Sequence, residues 1–568
     1  MADNKLYFGD NLDILRKGYI ADGSVDLIYL DPPFNSKADY NVLYREKSGL
    51  APFAQIKAFT DTWHWSDFAE ATYNELITSS TPKVSETIQA LRKIVGVRTG
   101  RNDMMAYLVM MAVRLIELRR VLKPTGGIYL HCDPTASHYL KVLLDAIFGP
   151  ENFRNEIIWK RTSGHSDARR YGRVHDILLF YVKSDAATWN DLYQPYDQEY
   201  VDQYYRYKDA NGRRFMSGDL GAAGLQGGGY EYEWKGVRRI WRVPIDTMRR
   251  LDSEGRVFYT RNRVPRMKRY LDEAKGMPVQ DVWTDVEALR SWHNEKLGYE
   301  TQKPLALVER LIQTSSNEAD LVLDPFCGCG TAVVAAQKLK RRWIGIDVTH
   351  LAVALMKYRL RSVFGDDVSY DVHGEPVDTE SARALAQQDR YQFQYWALSL
   401  IQARPEPKDE KKGADRGIDG VIYLLEGKGA ARPVIIQVKS GNVARGDVGN
   451  LIGAVSNNSA AMGLFITLEP PTGPMKLEAT TAGFYKFPLN GREYPKIQIR
   501  TIEELLLGKG FDLPLRPIQF KQAERYVEAA ENVSLFDAEP SADAARKIAE
   551  EPGSYKSADS TGSSRRRK

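Results

Sequence analysis

Cysteine is nearly absent from this chain: Cys132, Cys327 and Cys329 are the only three in 568 residues. So few thiols exclude a disulfide framework, and Cys327-x-Cys329 has no second pair with which to close a tetrahedral metal site. The pair reads as two small residues in a glycine-rich turn. Long hydrophobic runs are missing too; no stretch approaches ~18 uninterrupted apolar residues, which excludes a membrane-spanning helix and leaves no membrane partner. The opening segment 1–11 lacks the basic-then-apolar layout of a secretory signal, so a cytoplasmic location is expected. A large charge imbalance is absent as well, since 79 basic and 74 acidic residues leave a net charge of +5. That balance alone says little about nucleic acid.

What is present is a hydrophobic content of 43%, enough for two or three ordinary cores. The positive charge is unevenly placed. Arg169, Arg170 and Arg173, then Arg238, Arg239, Arg242, Arg249 and Arg250, then Arg261, Arg263, Arg266, Lys268 and Arg269 crowd the centre of the chain. Tyr171, Tyr230, Tyr232, Trp234, Trp241, Tyr259 and Tyr270 interleave with them. Phosphate neutralisation with base stacking would use this mixture; a solvated face over an aromatic core would show it too.

Short apolar runs at Lys5–Phe8, Val25–Leu30, Gly127–Cys132, Glu156–Trp159, Asp176–Val182, Leu321–Asp324 and Arg342–Asp347 read as strands. Helical spacing covers Arg114–Leu122, Ala136–Phe148 and Ala332–Leu339. Strands alternating with helices predict an α/β domain built on a parallel sheet. Periodicity decays between about 190 and 290, so the domain is read as interrupted by an insertion. After about 365 a helix over Ala382–Ile401 and a charged linker at Pro405–Lys412 lead into a strand-rich unit from about 418 to 505. The Ala-, Ser- and Glu-rich tail is expected to be disordered.

Two sites of chemistry follow from strand ends. Asp324-Pro325-Phe326-Cys327-Gly328-Cys329-Gly330-Thr331 links a strand to a helix, and its glycines let a ligand approach the helix N-terminus closely. Asp347 ends the next strand, where a carboxylate accepts ribose hydroxyls. The third glycine of the dinucleotide fingerprint is missing, so a ligand with a ribose but no pyrophosphate fits better. Asp31-Pro32-Pro33-Phe34 also ends a strand. Its prolines aim their carbonyls rigidly. The Asp31 carboxylate and Pro32 carbonyl can hold an exocyclic amine while Phe34 stacks on its ring.

Together these motifs resemble the permuted (β-order) amino-methylating DNA methyltransferases, similar to the modification subunits of type III restriction systems. In that family the Asp-Pro-Pro-aromatic motif precedes the Phe-x-Gly-x-Gly motif, as 31–34 precede 326–330 here. Gly9-Asp10-Asn11, Leu130-His131-Cys132-Asp133, Asn155–Trp159 and Thr301-Gln302-Lys303-Pro304 are further family-like stretches. The resemblance covers about 1–365. It implies a Rossmann-like, doubly wound α/β methyltransferase domain with a target-recognition insert at about 185–290. It implies S-adenosylmethionine as cofactor and double-stranded DNA as partner. Asp31, Pro32, Pro33 and Phe34 would be catalytic. Asp10, Lys303, Pro304, Asp324, Phe326, Gly328, Gly330, Thr331 and Asp347 would line the cofactor site. The aspartate of the first motif favours N6 of adenine over N4 of cytosine. The Pro-Cys pair of cytosine-C5 enzymes is absent.

The second unit, about 380–515, resembles Mrr-like nucleases of the PD-(D/E)xK class. Asp419 would be the principal ligand of a Mg²⁺ ion, with Gln437 and Lys439 two apart on one strand face. Where that family often carries a glutamate on the preceding helix, Gln392 or Gln394 stands here. The expected protein is an adenine-N6 DNA methyltransferase of a restriction–modification or phage-defence system, with Mg²⁺-dependent DNA cleavage as a second activity. A homodimer and separate restriction-system partners are further expectations. The alternatives are N4-cytosine methylation, methylation of RNA or of a protein amide, a nuclease-like domain that only grips DNA, and a DNA-binding adaptor with a vestigial cofactor site.

Overall fold

The computed structural model describes residues 4–33, 65–95 and 103–514, except 165, 168, 223–228, 291–292, 294, 296–300, 366–367, 402, 406–417 and 427–430. Phe34, the 413–417 segment and the tail lie outside the described residues.

A nine-stranded sheet organises the first domain. Its strands are β1 (Lys5–Phe8), β2 (Val25–Leu30), β3 (Leu122–Cys132), β4 (Phe153–Lys160), β5 (His175–Val182), β6 (Val282–Trp283), β7 (Leu321–Asp324), β8 (Arg342–Asp347) and β9 (Asp371–His373). They lie in the order β6-β4-β5-β3-β2-β7-β8-β1-β9. The central strands are covered on both faces, which is why they read as continuous apolar runs. Leu27 and Tyr29 face one core with Leu307, Val333 and Trp343. Ile28 and Leu30 face the other, against the helices Asp103–Val121 and Ser137–Phe148. Buried Asp26 is the exception in β2. It accepts from Lys123 Nζ at 2.7 Å and from the Leu321 N–H at 2.9 Å, which holds β7 in place beside β2.

The expected parallel sheet is mixed instead: β5 runs antiparallel to both β3 and β4. The 161–174 connection is short and holds no crossover helix among its described residues, and only an antiparallel pair can be joined that way. Strand β3 also starts earlier than expected, at Leu122, with a register shift opposite Val25 and Leu27. The insertion is not irregular. It holds a four-stranded sheet and the hairpin Tyr230–Trp234/Val237–Trp241 around a small core of Leu220, Trp234, Trp241, Met248, Leu251 and Val257. Trp234 and Trp241 are therefore packing residues, because alternate positions of a half-covered hairpin point inward, and Tyr270 is buried in the four-stranded sheet opposite Phe215.

The second domain is a five-stranded sheet with strands β10 (Arg404–Pro405), β11 (Gly420–Leu425), β12 (Ala431–Lys439), β13 (Met462–Thr467) and β14 (Ile497–Thr501) in that order. β10, β11 and β12 pair antiparallel, and β12, β13 and β14 pair parallel. The single helix expected over 382–401 is two, Thr379–Gln388 and Arg390–Leu400. Asp389 divides them because its carboxylate caps the second, accepting from the Tyr391 and Gln392 N–H groups. Among the described residues no helix is long and apolar enough to cross a membrane.

Candidate active site

Parallel pairing of β2 with β7 (Leu27 opposite Val322, Ile28 opposite Leu323) brings the ends of the two strands to one edge of the sheet. Asp31, Pro32 and Pro33 leave β2 there, and the 325–330 turn leaves β7 beside them. Lys303 completes the junction: its ammonium rests on the Asp31 carboxylate, 272 positions away in the chain. Both side chains are largely shielded, at 11% and 17% exposure. Pro304 stands at the N-terminus of the helix Leu305–Ser315 and has no side-chain cap to offer. The Glu295 carboxylate takes over that task, accepting from the Leu305 N–H at 2.9 Å. Phe34 lies outside the described residues.

The glycine turn is held by its own backbone. Asp324 accepts from the Phe326 N–H at 3.0 Å, and Gly330 donates to the Cys327 carbonyl at 2.7 Å. Gly330 has φ +76°, and a Cβ there would lie 2.5 Å from Met356 Cγ, so both backbone and space demand glycine. Gly330 opens directly into the helix Thr331–Lys338. Cys327 and Cys329 are buried free thiols in this turn. Asp347 accepts from the Gly328 N–H, the Thr349 N–H and the Thr349 hydroxyl, each at 2.9 Å. Burial pushes the Asp347 carboxyl above its ordinary range. Burial also pushes Asp324 well above it, with the charges of Asp31 and Asp347 adding to the effect. Thr331 Oγ1 accepts from buried Arg359 at 3.0 Å, and Arg359 reaches Glu295 at 3.3 Å. Backbone N–H groups at a helix N-terminus, beside carboxylates at two strand ends, suit a ligand carrying a ribose and a positive centre.

Sequence reasoning missed two supporting networks. Arg114 is almost wholly buried at 1% exposure. It donates to Met110 O, to Asn11 Oδ1 at 2.6 Å and to Asp10 Oδ1 at 2.9 Å. Asn11 in turn donates to the Pro325 carbonyl at 2.7 Å, so the Gly9-Asp10-Asn11 stretch braces the glycine turn from behind. Asp10 therefore spends its carboxylate on Arg114 and on the Leu12 N–H. The sign available in sequence was a lone arginine inside the apolar run 104–116. The second network is a buried chain beneath Asp31. Asp176, ionised, can only accept, so His131 Nε2–H donates to it at 3.3 Å and the Tyr29 hydroxyl donates to His131 Nδ1 at 3.1 Å. Burial opposes charge on Asp176, yet the His131 hydrogen bond, with the positive charges of Arg161 and Lys303, holds its carboxyl below the ordinary value of 3.8. A depressed carboxyl contributes stability above its unfolded pKa and loses it as pH falls through the folded one. Asp176→Asn should therefore destabilise the protein by about 1–3 kcal/mol at pH 7, and the gap from wild type should close below about pH 4. Urea unfolding across that pH range checks both.

Much of the insert's positive charge is locally balanced. Arg213 and Arg256 pair with Glu273, Arg266 with Asp219, and Arg238 with Glu231. In the second domain the hairpin register (Gly420 opposite Ile436) sets Asp419 beside Gln437. Asp419 Oδ2 accepts from the Val438 N–H at 2.8 Å, the buried Gln437 Oε1 has no hydrogen-bond partner among the described residues, and Lys439 Nζ lies 3.7 Å from Asp447. Gln392 does not join them. Its amide oxygen accepts from the His350 N–H of the first domain at 3.2 Å. Among the described residues no group of three His, Cys, Asp or Glu side chains is placed to hold a metal ion. Among the described residues this cluster offers a hard dication one carboxylate and one amide oxygen, a sparse donor set for Mg²⁺.

A doubly wound sheet with these two motifs at one edge defines a methyltransferase-type α/β domain. The chain belongs to the N6/N4 DNA methylase family, whose model matches residues 25–357. It is 32% identical over 51% of its length to the type II methyltransferase M.EcaI of Enterobacter cloacae, covering 65% of that protein. It is 27% identical over 60% of its length to the type III restriction-modification enzyme StyLTI Mod subunit of Salmonella typhimurium, covering 50% of that protein. The chain thus spans less than two thirds of either relative. The solved PvuII DNA methyltransferase (cytosine-N4-specific) aligns over 64% of this chain and 88% of its own at 15% identity and a TM-score of 0.30, too weak to carry geometry across. A further model, described as NACHT-associated inactive restriction endonuclease 1, matches residues 392–506.

Proposed function

We propose that this protein transfers the methyl group of S-adenosylmethionine to N6 of adenine in double-stranded DNA, as the modification enzyme of a restriction–modification or phage-defence system. The observation that carries this reading is the meeting of Asp31 with the 324–330 turn and Lys303 at one sheet edge. The cofactor supplies an electrophilic methyl on a sulfonium. Asp347 would accept its ribose hydroxyls, the turn around Gly328 and Gly330 would let it close on the helix N-terminus, and Lys303 would take its carboxylate. Phe326, Pro304 and Thr331 would form the walls, and Asp10 would act through Arg114 and Asn11 as a positioning residue.

The amine of adenine is a poor nucleophile because its lone pair is delocalised into the ring. Asp31 and the Pro32 carbonyl would each accept one of its N–H groups, drawing nitrogen toward sp³ character while Pro33 keeps the carbonyl rigid and Phe34 stacks on the flipped base. With the amine so held, the bound cofactor would supply its methyl to nitrogen, its sulfur keeping the electron pair of the broken C–S bond, and the amine would give up its proton to water. Lys303 cannot serve the cofactor carboxylate and Asp31 equally, so we place it on Asp31 before the cofactor arrives. An aspartate in this motif favours adenine. N4 of cytosine remains the other outcome of the product analysis.

Calorimetry with S-adenosylmethionine tests the cofactor half of this reading. Wild type should bind, and Asp347→Ala should bind ~10- to 100-fold more weakly, the value of hydrogen bonds to a charged acceptor. Failure of wild type to bind would remove the proposal. For the second domain we propose DNA gripping without cleavage, supported by its likeness to an inactive endonuclease family and by the poor Mg²⁺ donor set. Unmethylated plasmid incubated with the protein and Mg²⁺ should stay intact; nicking that Asp419→Ala abolishes would restore the nuclease reading.

A further inference from the structure

The connection between β4 and β5 carries a side chain that the methyl-transfer chemistry does not use. β2 and β3 are parallel, β5 is antiparallel to β3, and β4 is antiparallel to β5, so β4 ends at the same edge as Asp31. Residues 161–174 leave the sheet there. At ~4.8 Å per strand, their root lies ~14 Å along the edge from β2, well inside the ~34 Å of one DNA helical turn. The segment folds into a small hairpin in which Ser166 opposes Tyr171 and Asp167 opposes Arg170. Its root is anchored. Arg173 Nη1 donates to Thr135 Oγ1 at 2.9 Å in the turn after β3, and the Arg161 N–H donates to the Val174 carbonyl at 2.9 Å.

The tip is built differently. Tyr171 is 99% exposed, and none of the other exposed large hydrophobic side chains among the described residues reaches that value. Arg169 beside it holds φ +71°, a left-handed conformation that costs energy in any residue but glycine and gathers at functional sites. Four arginines (161, 169, 170 and 173) stand in this segment against one acid, Asp167. A bare aromatic ring on a basic, root-anchored hairpin contributes nothing to the fold's own core. Its chemistry suits a base stack flanked by phosphates.

We infer that Tyr171 is the wedge that enters the duplex when the target base swings out, stacking in the vacated gap while Arg169 faces the phosphates. This rests on the DNA-methylation reading above. The test uses full-length protein and duplex oligonucleotides carrying the site located by modified-base sequencing of DNA from expressing cells. In one duplex the target adenine is paired with thymine; in the other it faces an abasic position and needs no unpairing. Tyr171→Ala should lower kcat/KM ~10- to 100-fold on the paired duplex but at most ~3-fold on the abasic one, since the wedge fills the gap facing the orphaned thymine and matters most where a base pair must be opened. Tyr171→Phe should keep wild-type rates on both, and 2-aminopurine at the target position should lose its fluorescence rise with Tyr171→Ala. S-adenosylmethionine affinity should not move. Equal losses on both duplexes, or none on either, with an active wild type would overturn the wedge while leaving methylation intact. A wild type that methylates neither duplex would bring down the underlying reading, and the wedge with it.

Discussion

Asp31→Ala should lower methyl transfer by at least ~10²- to 10³-fold, the cost of deleting one preorganised partner of a developing charge. The substitution removes the acceptor that draws the amine toward sp³ and leaves Lys303 without its ion-pair partner. Lys303 then stays available to the cofactor carboxylate, so S-adenosylmethionine affinity should hold or rise slightly. Asp31→Asn is the sharper variant, because it keeps the shape while turning half of the acceptor into a donor, which opposes an N–H of the base. Its kcat should fall about as far as that of the alanine variant. Tritium transfer under saturating cofactor, with calorimetry alongside, separates the two effects. Near-wild-type kcat in either variant would mean that Asp31 does not hold the reacting amine.

Arg114→Leu should be the most damaging substitution away from the reacting atoms. It strands the part-buried Asp10 carboxylate and the buried Asn11 amide, a change that should cost about 2–4 kcal/mol, toward the lower side of the range for breaking a fully buried pair. The same change loosens the Asn11–Pro325 contact, so whatever protein remains folded should bind S-adenosylmethionine more weakly. Denaturant titrations followed by tryptophan fluorescence report the stability. The double variant Asp10→Ala/Arg114→Leu should recover part of the loss, since it removes the stranded charge as well. If the single variant were as stable as wild type, the ion pair would not be the brace that its burial indicates.

The parts of this fold that sequence could show are those carried by local chemistry. Val25–Leu30 and Arg342–Asp347 announce themselves because strands covered on both faces leave no room for polar alternation. Gly330 is legible because only glycine tolerates its backbone angle and the approach of Met356. Contacts between distant segments are not written this way. By its motif Lys303 belongs to the cofactor alone; its grip on Asp31 comes from strand order, which no local pattern encodes. The Tyr29–His131–Asp176 chain draws one residue from each of β2, β3 and β5, so it exists only once that order is set. The antiparallel course of β5 escaped because an apolar run has no direction. The aromatics of the basic central stretch read as DNA-stacking candidates, yet Trp234 and Trp241 bury themselves in the insert's small core while Tyr171, before the insert, does not. Composition alone cannot divide such residues between packing and contact.

The most direct test is the identity of the product. Duplex DNA from a methylation-deficient host should be incubated with the wild-type protein and methyl-labelled S-adenosylmethionine, then digested to nucleosides and separated by mass spectrometry. The account predicts label in N6-methyladenine and its loss with Asp31→Ala. Label in N4-methylcytosine would contradict the choice of base, and DNA without label would contradict the function itself.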